Sequence, residues 1–191
     1  DKTKQIAQSV GIRVPKAYRT VEEIERFPVI IKPVDEGSSK GVFLCNNREE
    51  AEEAVKKLAR PIIEDYIVGE ELTVGVLNGK ALGVLKIIPQ ADVLYDYDSK
   101  YADGGSIHEF PAKIEDKSYK EAMKIAEKVH SEFGMKGISR SDFILSDGEL
   151  YFLEVNSSPG MTKTSLIPDL ATLKGYTFDD VVRITVETFL K

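Results

Sequence analysis

The stretch "LYFLEVNSSPGMTKTSL", Leu150 to Leu166, combines an apolar strand pattern with polar residues that a buried strand rarely carries. Glu154 and Asn156 are two residues apart, so on a strand their side chains point to the same face. Carboxylate and amide oxygens are the ligands that hard cations prefer. The stretch therefore predicts a strand that presents cation ligands and then turns through Ser-Ser-Pro-Gly.

The preceding segment, "ISRSDFILSDG", predicts the partner strand of a hairpin, on which Arg140 and Asp142 share one face. Residues opposite each other in an antiparallel pair lie on the same side of the sheet. A three-residue loop, Ser146–Gly148, would place Arg140 opposite Glu154 with Asp142 diagonal to it, and this loop is our prediction. A two-residue turn without a compensating bulge would put Asp142 on the wrong face and argue against a metal site.

The four polar side chains of this hairpin predict a magnesium site. Mg²⁺ usually takes one or two carboxylates and fills its shell with water and phosphate oxygens. We expect Asp142, Glu154 and Asn156 to hold Mg²⁺ on bound phosphates, with Arg140 adding positive charge beside them. The alternative is a solvated hairpin face with a single ion pair.

The overall composition is that of an ordinary globular chain. It has 191 residues, 42% hydrophobic and 30% charged, which suffices for one sizeable core or two small ones. The net charge of −6 argues against a nucleic-acid partner, although a local basic site for a phosphate ligand remains possible. Cys45 is the only cysteine and is expected to fill the core. No apolar run suggests a membrane span or a signal peptide, so we expect a cytoplasmic protein.

Turn and capping signals predict helices alternating with hairpin strands, which indicates α+β layers rather than a doubly wound parallel sheet. Asn78-Gly79 is a hairpin turn signal, and Thr20 with Glu23 has capping-box spacing. Asn47 and Ser118 are predicted to cap helices, a short first helix should stop at Gly11, and "TFDDVVRITVETFLK" should close the chain as a helix. We place a boundary near residues 66–70, which gives subdomains 1–68 and 69–191.

Several residues of the first half are candidate contacts for phosphate or nucleotide. Lys32 ends a buried strand, where an unpaired ammonium is costly, and the loop 36–41 ("EGSSKG") offers backbone N–H groups and two hydroxyls. The loop lacks Walker A spacing. Lys4 and Lys100 are further candidates. Glu64 and Glu71 flank Ile67 and could accept hydrogen bonds from a purine amino group and a ribose. Taken singly, each of these is as well explained by an ordinary surface position.

The chain resembles the ATP-grasp part of bacterial D-alanine–D-alanine ligases from residue 1 to about 178. The motifs that carry the resemblance are "KPVDEGSSKGV", "YDYDSKY", "SRSDFIL" and above all "EVNSSPGMTKTSL". The resemblance implies two α+β subdomains of mainly antiparallel sheet with the nucleotide between them. The small subdomain, 1–68, would contain the serine loop 36–41, and the large one, 69–191, would contain the metal and substrate sites.

The resemblance also implies a role for each matching residue. Phosphates would be bound by Lys4, Lys32 and Lys100, and adenine and ribose by Glu64, the backbone of Ile67, and Glu71. Two Mg²⁺ ions (or Mn²⁺) would be held by Asp142, Glu154 and Asn156. The oxyanion would be stabilised by Arg140 and Gly160, the second D-alanine would be bound by Ser165 and Leu166, and Ser38 and Tyr101 would hydrogen-bond as two loops close.

The implied reaction joins two D-alanines for peptidoglycan precursors, using ATP and an acyl phosphate. No protein nucleophile is needed, and His108 and His130 are interpreted as a loop residue and a helix-surface residue. The implied partners are ATP and D-alanine, with no membrane or nucleic acid, and the full-length parent would be a homodimer. The alternatives are another ATP-grasp amino-acid ligase, or a nucleotide-binding module without turnover.

Three departures from the family pattern affect these expectations. Lys40 stands where a small apolar residue is common, and Asp65 stands where a lysine that contacts the nucleotide is common. The family's N-terminal domain, which carries the glutamate that grips the first D-alanine, is expected to lie outside these 191 residues. The chain would then supply the ATP site, the metal site and half of the amino-acid site.

Overall fold

The computed structural model describes residues 2–35, 40–89, 106–162 and 165–190. Within these ranges the chain forms five α-helices, one short 3₁₀ turn (Val21–Glu23) and nine strands. The helices are α1 (Lys2–Ser9), α2 (Arg48–Lys57), α3 (Asp116–Glu132), α4 (Leu166–Thr172) and α5 (Phe178–Phe189). The strands are β1 (Ala17–Tyr18), β2 (Val29–Pro33), β3 (Phe43–Cys45), β4 (Pro61–Asp65), β5 (Glu70–Leu77), β6 (Lys80–Pro89), β7 (Ser106–Glu109), β8 (Ile138–Ser146) and β9 (Glu149–Asn156).

The first sheet has the strand order β1-β4-β2-β3, and each neighbouring pair is antiparallel. The β-branched run of β2 alternates between the two faces of this sheet. Val29 and Ile31 face a core that includes Ile63, Cys45 and residues of α2, so the expected core position of Cys45 is confirmed. Lys32 and Glu64, on β2 and β4, belong to the opposite face.

The second sheet has the order β7-β6-β5-β8-β9 and is also antiparallel throughout its described strands. One face is covered by α1 and α3 over a core that includes Leu72, Phe143 and Phe152. The other face is covered at one end by α4 and α5, which contribute Ile167, Leu170 and Val181. The uncovered part of that second face carries the polar residues of the predicted magnesium site.

The two sheets confirm the predicted α+β class, and the break between them falls between β4 and β5. Helix α1 precedes the first sheet in sequence but packs on the second, where Ala7 is fully buried. The N–H of Phe152 also donates to the carbonyl of Arg13 at 2.9 Å. The division into subdomains 1–68 and 69–191 stays a prediction. None of the described helices has the length and apolar character needed to cross a bilayer.

The predicted three-residue loop of the second hairpin is wrong. The loop has two residues, Asp147 and Gly148, whose φ angles of 49° and 77° are left-handed. This turn alone would put Asp142 on the wrong face, but the register shifts between Asp142 and Phe143, where Leu153 is the extra residue of a β-bulge. The bulge restores the shared face by a different route from the one predicted.

The first hairpin uses the same combination of turn and bulge. Its Asn78-Gly79 turn confirms the prediction, with φ angles of 47° and 77°. The register of β5 against β6 shifts between Gly75 and Val76, a few residues before that turn. Two-residue turns of this kind match the right-handed twist of the strands. Each bulge then inserts one extra residue, which changes the side chains that share a face of the sheet.

Of the three predicted helix caps, one is confirmed and two are wrong, and the predicted closing helix is confirmed. The side chain of Asn47 accepts from the N–H of Glu50 at 2.9 Å, and α5 closes the chain behind a capping box at Thr177. Thr20 makes no capping hydrogen bond, and only a 3₁₀ turn follows it. Ser118 is buried inside α3, which begins at Asp116.

Both histidine interpretations are also wrong. His108 lies on β7, with its Nδ1 3.5 Å from a carboxylate oxygen of Asp169 in α4. His130 is buried, with 4% of its surface exposed, and its Nδ1 is 2.8 Å from the hydroxyl of Ser139 on β8. Burial lowers the pKa of His130 below its usual value and so favours the neutral ring.

Candidate functional site

The polar hairpin face is assembled by the bulge in β8 and β9. Asp142 lies directly opposite Glu154, and Arg140 lies directly opposite Asn156. The sequence had predicted Arg140 opposite Glu154, so the observed partner of Arg140 lies two residues further along β9, although all four residues share the face. Directly opposed residues have Cβ atoms about 5 Å apart, close enough for two carboxylates to share a cation.

Asp142 is held in place by two neighbours. The guanidinium of Arg140 donates from Nη2 to Oδ2 at 2.8 Å and from Nε to Oδ1 at 3.0 Å. The hydroxyl of Thr73, opposite Asp142 on β5, donates to the same carboxylate. Asp142 is 8% exposed, whereas Glu154 is exposed. One carboxylate is therefore oriented by the protein, and the other is available to a ligand.

The chemistry of this donor set fits magnesium. Two carboxylates and one amide oxygen supply part of an octahedral shell, which Mg²⁺ completes with water or phosphate oxygens. No group of three His, Cys, Asp or Glu side chains suited to a metal occurs in the described part of the chain, so a purely protein-bound cage is not formed there. Asn156 Oδ1 accepts from the N–H of Ser158 at 2.9 Å, which ties the amide to the start of the following turn.

A second group of charges lies between the two sheets, where Lys4, Lys32 and Glu64 meet. Lys4 on α1 forms an ion pair with Oε1 of Glu64, and Nζ of Lys32 lies 3.2 Å from Oε2. Lys4 and Glu64 are 5% and 2% exposed, whereas the Lys32 side chain keeps 20%. A single buried carboxylate thus bridges two ammonium groups from different elements.

The burial of this charge group shifts two pKa values. Desolvation lowers the pKa of Lys4 to about 8, and although Glu64 and Glu154 oppose that shift, Lys32 adds to it. Burial by itself would raise the pKa of Glu64, but Lys32 and Lys4 outweigh it and hold that pKa below its usual value. Glu154 of the polar hairpin face contributes the smallest part of the Lys4 shift, which indicates that the two groups lie within electrostatic range of each other.

Two other candidate nucleotide contacts, Ile67 and Glu71, lie just before β5 and at its start. Ile67 is half-buried in the connection between the two sheets. Glu71 is half-buried and lies two residues before Thr73, on the same face of β5. Sequence reasoning overlooked Thr73, although its spacing from Glu71 could have placed it on the face with Asp142.

Asp65 lies on the opposite face of β4 from Glu64. It accepts from the hydroxyl of Tyr18 at 2.7 Å and pairs with Nη2 of Arg26 at 2.5 Å. Burial, followed by the bond to Asp65, raises the pKa of Tyr18 to about 12. The acidic side chain at this position is thus paired with Tyr18 of β1 and with Arg26 of the connection before β2.

The turn after β9 brings Gly160 against Ser165. The hydroxyl of Ser165 accepts from the N–H of Thr162 at 3.0 Å, and the two hydroxyls are 2.9 Å apart. A Cβ atom added at Gly160 would lie 2.8 Å from Oγ of Ser165. Leu166 follows as the first residue of α4. The structure therefore brings together Gly160, Ser165 and Leu166, the three residues that the family resemblance assigns to the oxyanion and the second D-alanine.

Three predicted site residues, Ser38, Lys100 and Tyr101, lie outside the described residues, as does most of the loop 36–41. Lys40, the last of that loop's polar residues, is described and is exposed. The described candidates form three adjoining groups: the lysine pair with Glu64, the polar hairpin face, and the turn at Gly160.

The family model described as D-ala D-ala ligase C-terminus matches residues 6–187. The chain is 92% identical over its whole length to a D-alanine–D-alanine ligase of Fusobacterium nucleatum subsp. nucleatum and covers 67% of that protein. It spans about two thirds of the length of the curated relatives it matches.

Two solved structures share the fold. A D-alanine–D-alanine ligase from Bacillus anthracis aligns over 98% of this chain and 66% of its own, with a TM-score of 0.83 and 28% identity. The VanG D-Ala:D-Ser ligase from Enterococcus faecalis aligns over 99% and 60%, with a TM-score of 0.86 and 26% identity. These similarities confirm the family resemblance and the fold expected from the sequence motifs.

Proposed function

The chain belongs to the family of D-alanine–D-alanine ligases, and we propose that it is the part of such an enzyme that binds ATP and magnesium. The enzyme would join two D-alanines for peptidoglycan precursors in the cytoplasm, as a homodimer when full-length. The observation that carries the proposal is the direct opposition of Asp142 and Glu154, with Arg140 and Asn156 beside them. A solvated hairpin face would not need a buried carboxylate oriented by both Arg140 and Thr73.

In the first step, the chain's residues hold the nucleotide phosphates. A carboxylate oxygen of the first D-alanine attacks the γ-phosphorus, the bond to the bridging oxygen breaks, and ADP leaves. Lys32, the more exposed of the two lysines, would meet the phosphates first, and the more deeply buried Lys4 would follow. Magnesium would supply charge neutralisation and alignment of the phosphates, held by Asp142, Glu154 and Asn156.

In the second step, the amine of the second D-alanine attacks the acyl carbon, and inorganic phosphate leaves as the amine loses its proton. Negative charge develops on the acyl oxygen in the tetrahedral intermediate. Arg140 and the N–H of Gly160 stabilise that charge, and Ser165 and Leu166 receive the carboxylate of the incoming amino acid. The contact between Gly160 and Ser165 supports this division of roles, because one short turn then serves both.

The test is a calorimetric titration of Mg²⁺-ADP into the 191-residue chain and into Glu154→Gln. We expect at least a tenfold loss of affinity in the variant, since one of two carboxylate ligands is removed. Glu149→Gln is the matched control, because Glu149 lies on the same strand but pairs with Arg13 at the surface, 2.6 Å away. If the folded chain and both variants bind equally, or none binds, the proposed magnesium face is wrong.

A second candidate differs only in the acceptor amino acid. The similarity to a D-Ala:D-Ser ligase at a TM-score of 0.86 supports considering D-serine. The full-length enzyme, assayed for phosphate release with D-alanine, D-serine and D-lactate as second substrates, decides between them. We expect D-alanine to give the highest kcat/KM. A nucleotide-binding module without turnover would give binding of Mg²⁺-ADP but no release with any of the three.

A further inference from the structure

The position of Glu64 leads to an inference that rests on the proposed function and extends it to regulation of the same site. Phosphate-binding lysines normally require an anion, because a buried ammonium without a partner is costly. In this chain the anion is already present in the fold, because Glu64 binds Lys4 through one carboxylate oxygen and Lys32 through the other. The carboxylate oxygens occupy the same donors that a phosphate group would use.

We propose that Glu64 is an internal stand-in for phosphate, which holds Lys4 and Lys32 in place and competes with the incoming nucleotide for them. The three residues come from α1, β2 and β4, and Lys4 and Glu64 are separated by 60 positions in the sequence. The pair therefore also ties α1, which packs on the second sheet, to the first sheet.

The competition follows from geometry and burial. The Lys4 side chain has only 6% of its surface exposed and is directed at Glu64, so a phosphate reaches its ammonium only by replacing that contact. Lys32 keeps 20% exposed and is the ammonium that a phosphate meets first. As the phosphate takes over the lysines, the Glu64 carboxylate loses its partners and becomes an acceptor for another donor, such as an adenine amino group.

The exchange would couple recognition of phosphate with recognition of the base. A ligand that brings both a phosphate and a hydrogen-bond donor gives all three charged groups a partner. A phosphate without a base leaves the Glu64 carboxylate buried and unpaired, which is costly. Glu64 would therefore select nucleotides over the phosphate-only anions that are also present in a cell.

The test compares tripolyphosphate binding by the wild-type chain, Glu64→Gln and Glu70→Gln. Tripolyphosphate is the probe because it carries the phosphates of a nucleotide and no base. Removing the competing carboxylate is expected to tighten its binding about fivefold to tenfold in Glu64→Gln. Glu70→Gln is the matched control, because it removes the same charge from another lysine-paired glutamate, whose partner is Lys86. Its tripolyphosphate affinity should equal that of the wild type.

A second measurement keeps the test decisive if Glu64→Gln does not fold. The carboxyl carbon of Glu64 in ¹³C-labelled wild-type chain should shift as tripolyphosphate is added, because the carboxylate loses its two ammonium partners. Glu64→Asp, which keeps the charge on a shorter side chain, identifies the resonance. A Glu64 signal that stays fixed at saturating tripolyphosphate overturns the proposal, as does equal affinity in the wild type and Glu64→Gln.

The outcomes separate this inference from the proposed function. If the wild-type chain binds Mg²⁺-ADP but Glu64→Gln gains no affinity for tripolyphosphate, only the proposed stand-in role of Glu64 is contradicted. Folded wild-type chain that binds neither Mg²⁺-ADP nor tripolyphosphate would contradict both. Tighter tripolyphosphate binding in Glu64→Gln without a Mg²⁺-ADP effect of Glu154→Gln would support the stand-in and contradict the magnesium face.

Discussion

Asp142 faces Glu154 across the β8–β9 hairpin, and the pairing depends on one extra residue, Leu153, in the second strand. The Asp147-Gly148 turn sets a register in which Asp142 would lie opposite Leu153. The bulge moves the partner on by one residue, so that two carboxylates meet. A bulge beside a candidate active site is thus the feature that positions its ligands.

The two carboxylates should respond differently to substitution. Asp142→Asn removes the carboxylate charge that pairs with Arg140 and accepts from Thr73 at a nearly buried site, and should lower the free energy of unfolding by about 2–4 kcal/mol. Glu154→Gln, at an exposed position, should change it by less than about 0.5 kcal/mol. Urea denaturation measures both, and equal destabilisation would contradict the orienting role of Arg140. Both variants should lose affinity for Mn²⁺, measured by electron paramagnetic resonance.

Lys4 should link nucleotide binding to proton uptake. Its pKa of about 8 lies below the usual 10.5, so at pH 8.5 a large share of the ammonium groups have lost their proton, whereas at pH 7 most are charged. A bound phosphate favours the charged form and raises the pKa. Binding of Mg²⁺-ADP should therefore take up more protons at pH 8.5 than at pH 7.

The proton uptake is measured by calorimetry in two buffers with different ionisation enthalpies. Lys4→Arg is the control, because a guanidinium stays charged throughout this range. Uptake at pH 8.5 should disappear in that variant while binding persists. Identical binding heats in the two buffers for the wild-type chain at pH 8.5 would show that Lys4 does not titrate in this window.

Gly160→Ala should separate nucleotide binding from amino-acid binding. The added Cβ would lie 2.8 Å from Oγ of Ser165, so that the hydroxyl must move away from Thr162. In the full-length enzyme we expect the KM for D-alanine to rise at least tenfold, while Mg²⁺-ADP affinity changes less than twofold. An unchanged KM would contradict the substrate role of this turn.

Ser139 and Ser141 offer a matched pair of substitutions in one strand. Both are fully buried on the same face of β8, but Ser139 bonds to His130, whereas the Ser141 hydroxyl has no hydrogen-bond partner among the described residues. Ser139→Ala should cost about 1–3 kcal/mol because it leaves a buried ring nitrogen unsatisfied. Ser141→Ala should be neutral or stabilising. Urea denaturation of both variants measures the difference, and equal costs would mean that the hydrogen bond adds nothing.

His130 should make the fold sensitive to mild acid. Its pKa is lowered in the folded chain by burial, so between that value and about 6.5 the unfolded chain binds more protons. The stability that the neutral ring contributes is therefore complete above pH 6.5 and is lost as the pH falls through the folded pKa. His130→Gln should flatten the pH dependence of unfolding between pH 7.5 and 5.5. If His130→Gln keeps the wild-type dependence of unfolding free energy on pH, that dependence comes from other titratable groups.

The sequence by itself determined the features that local chemistry controls. The Asn78-Gly79 pair specifies a turn with positive φ, and Asn47 caps its helix, because these signals act within a few residues. The motif of residues 150–166 was sufficient to identify the family, since it combines ligands and turn residues in one segment. The α+β class follows from hairpin strands and helices that alternate along the chain.

Only the tertiary structure decided how distant residues meet. The bulge at Leu153 depends on two strands and their neighbours, so counting residues across the turn gave the wrong partner for Glu154. His130 seemed exposed on a helix and is buried, because α3 packs that side against β8. Lys4 and Lys32 lie far from Glu64 in sequence, yet both bind its carboxylate. Long-range packing sets these contacts, since it alone brings separate elements within hydrogen-bond distance and excludes the water that would otherwise separate their charges.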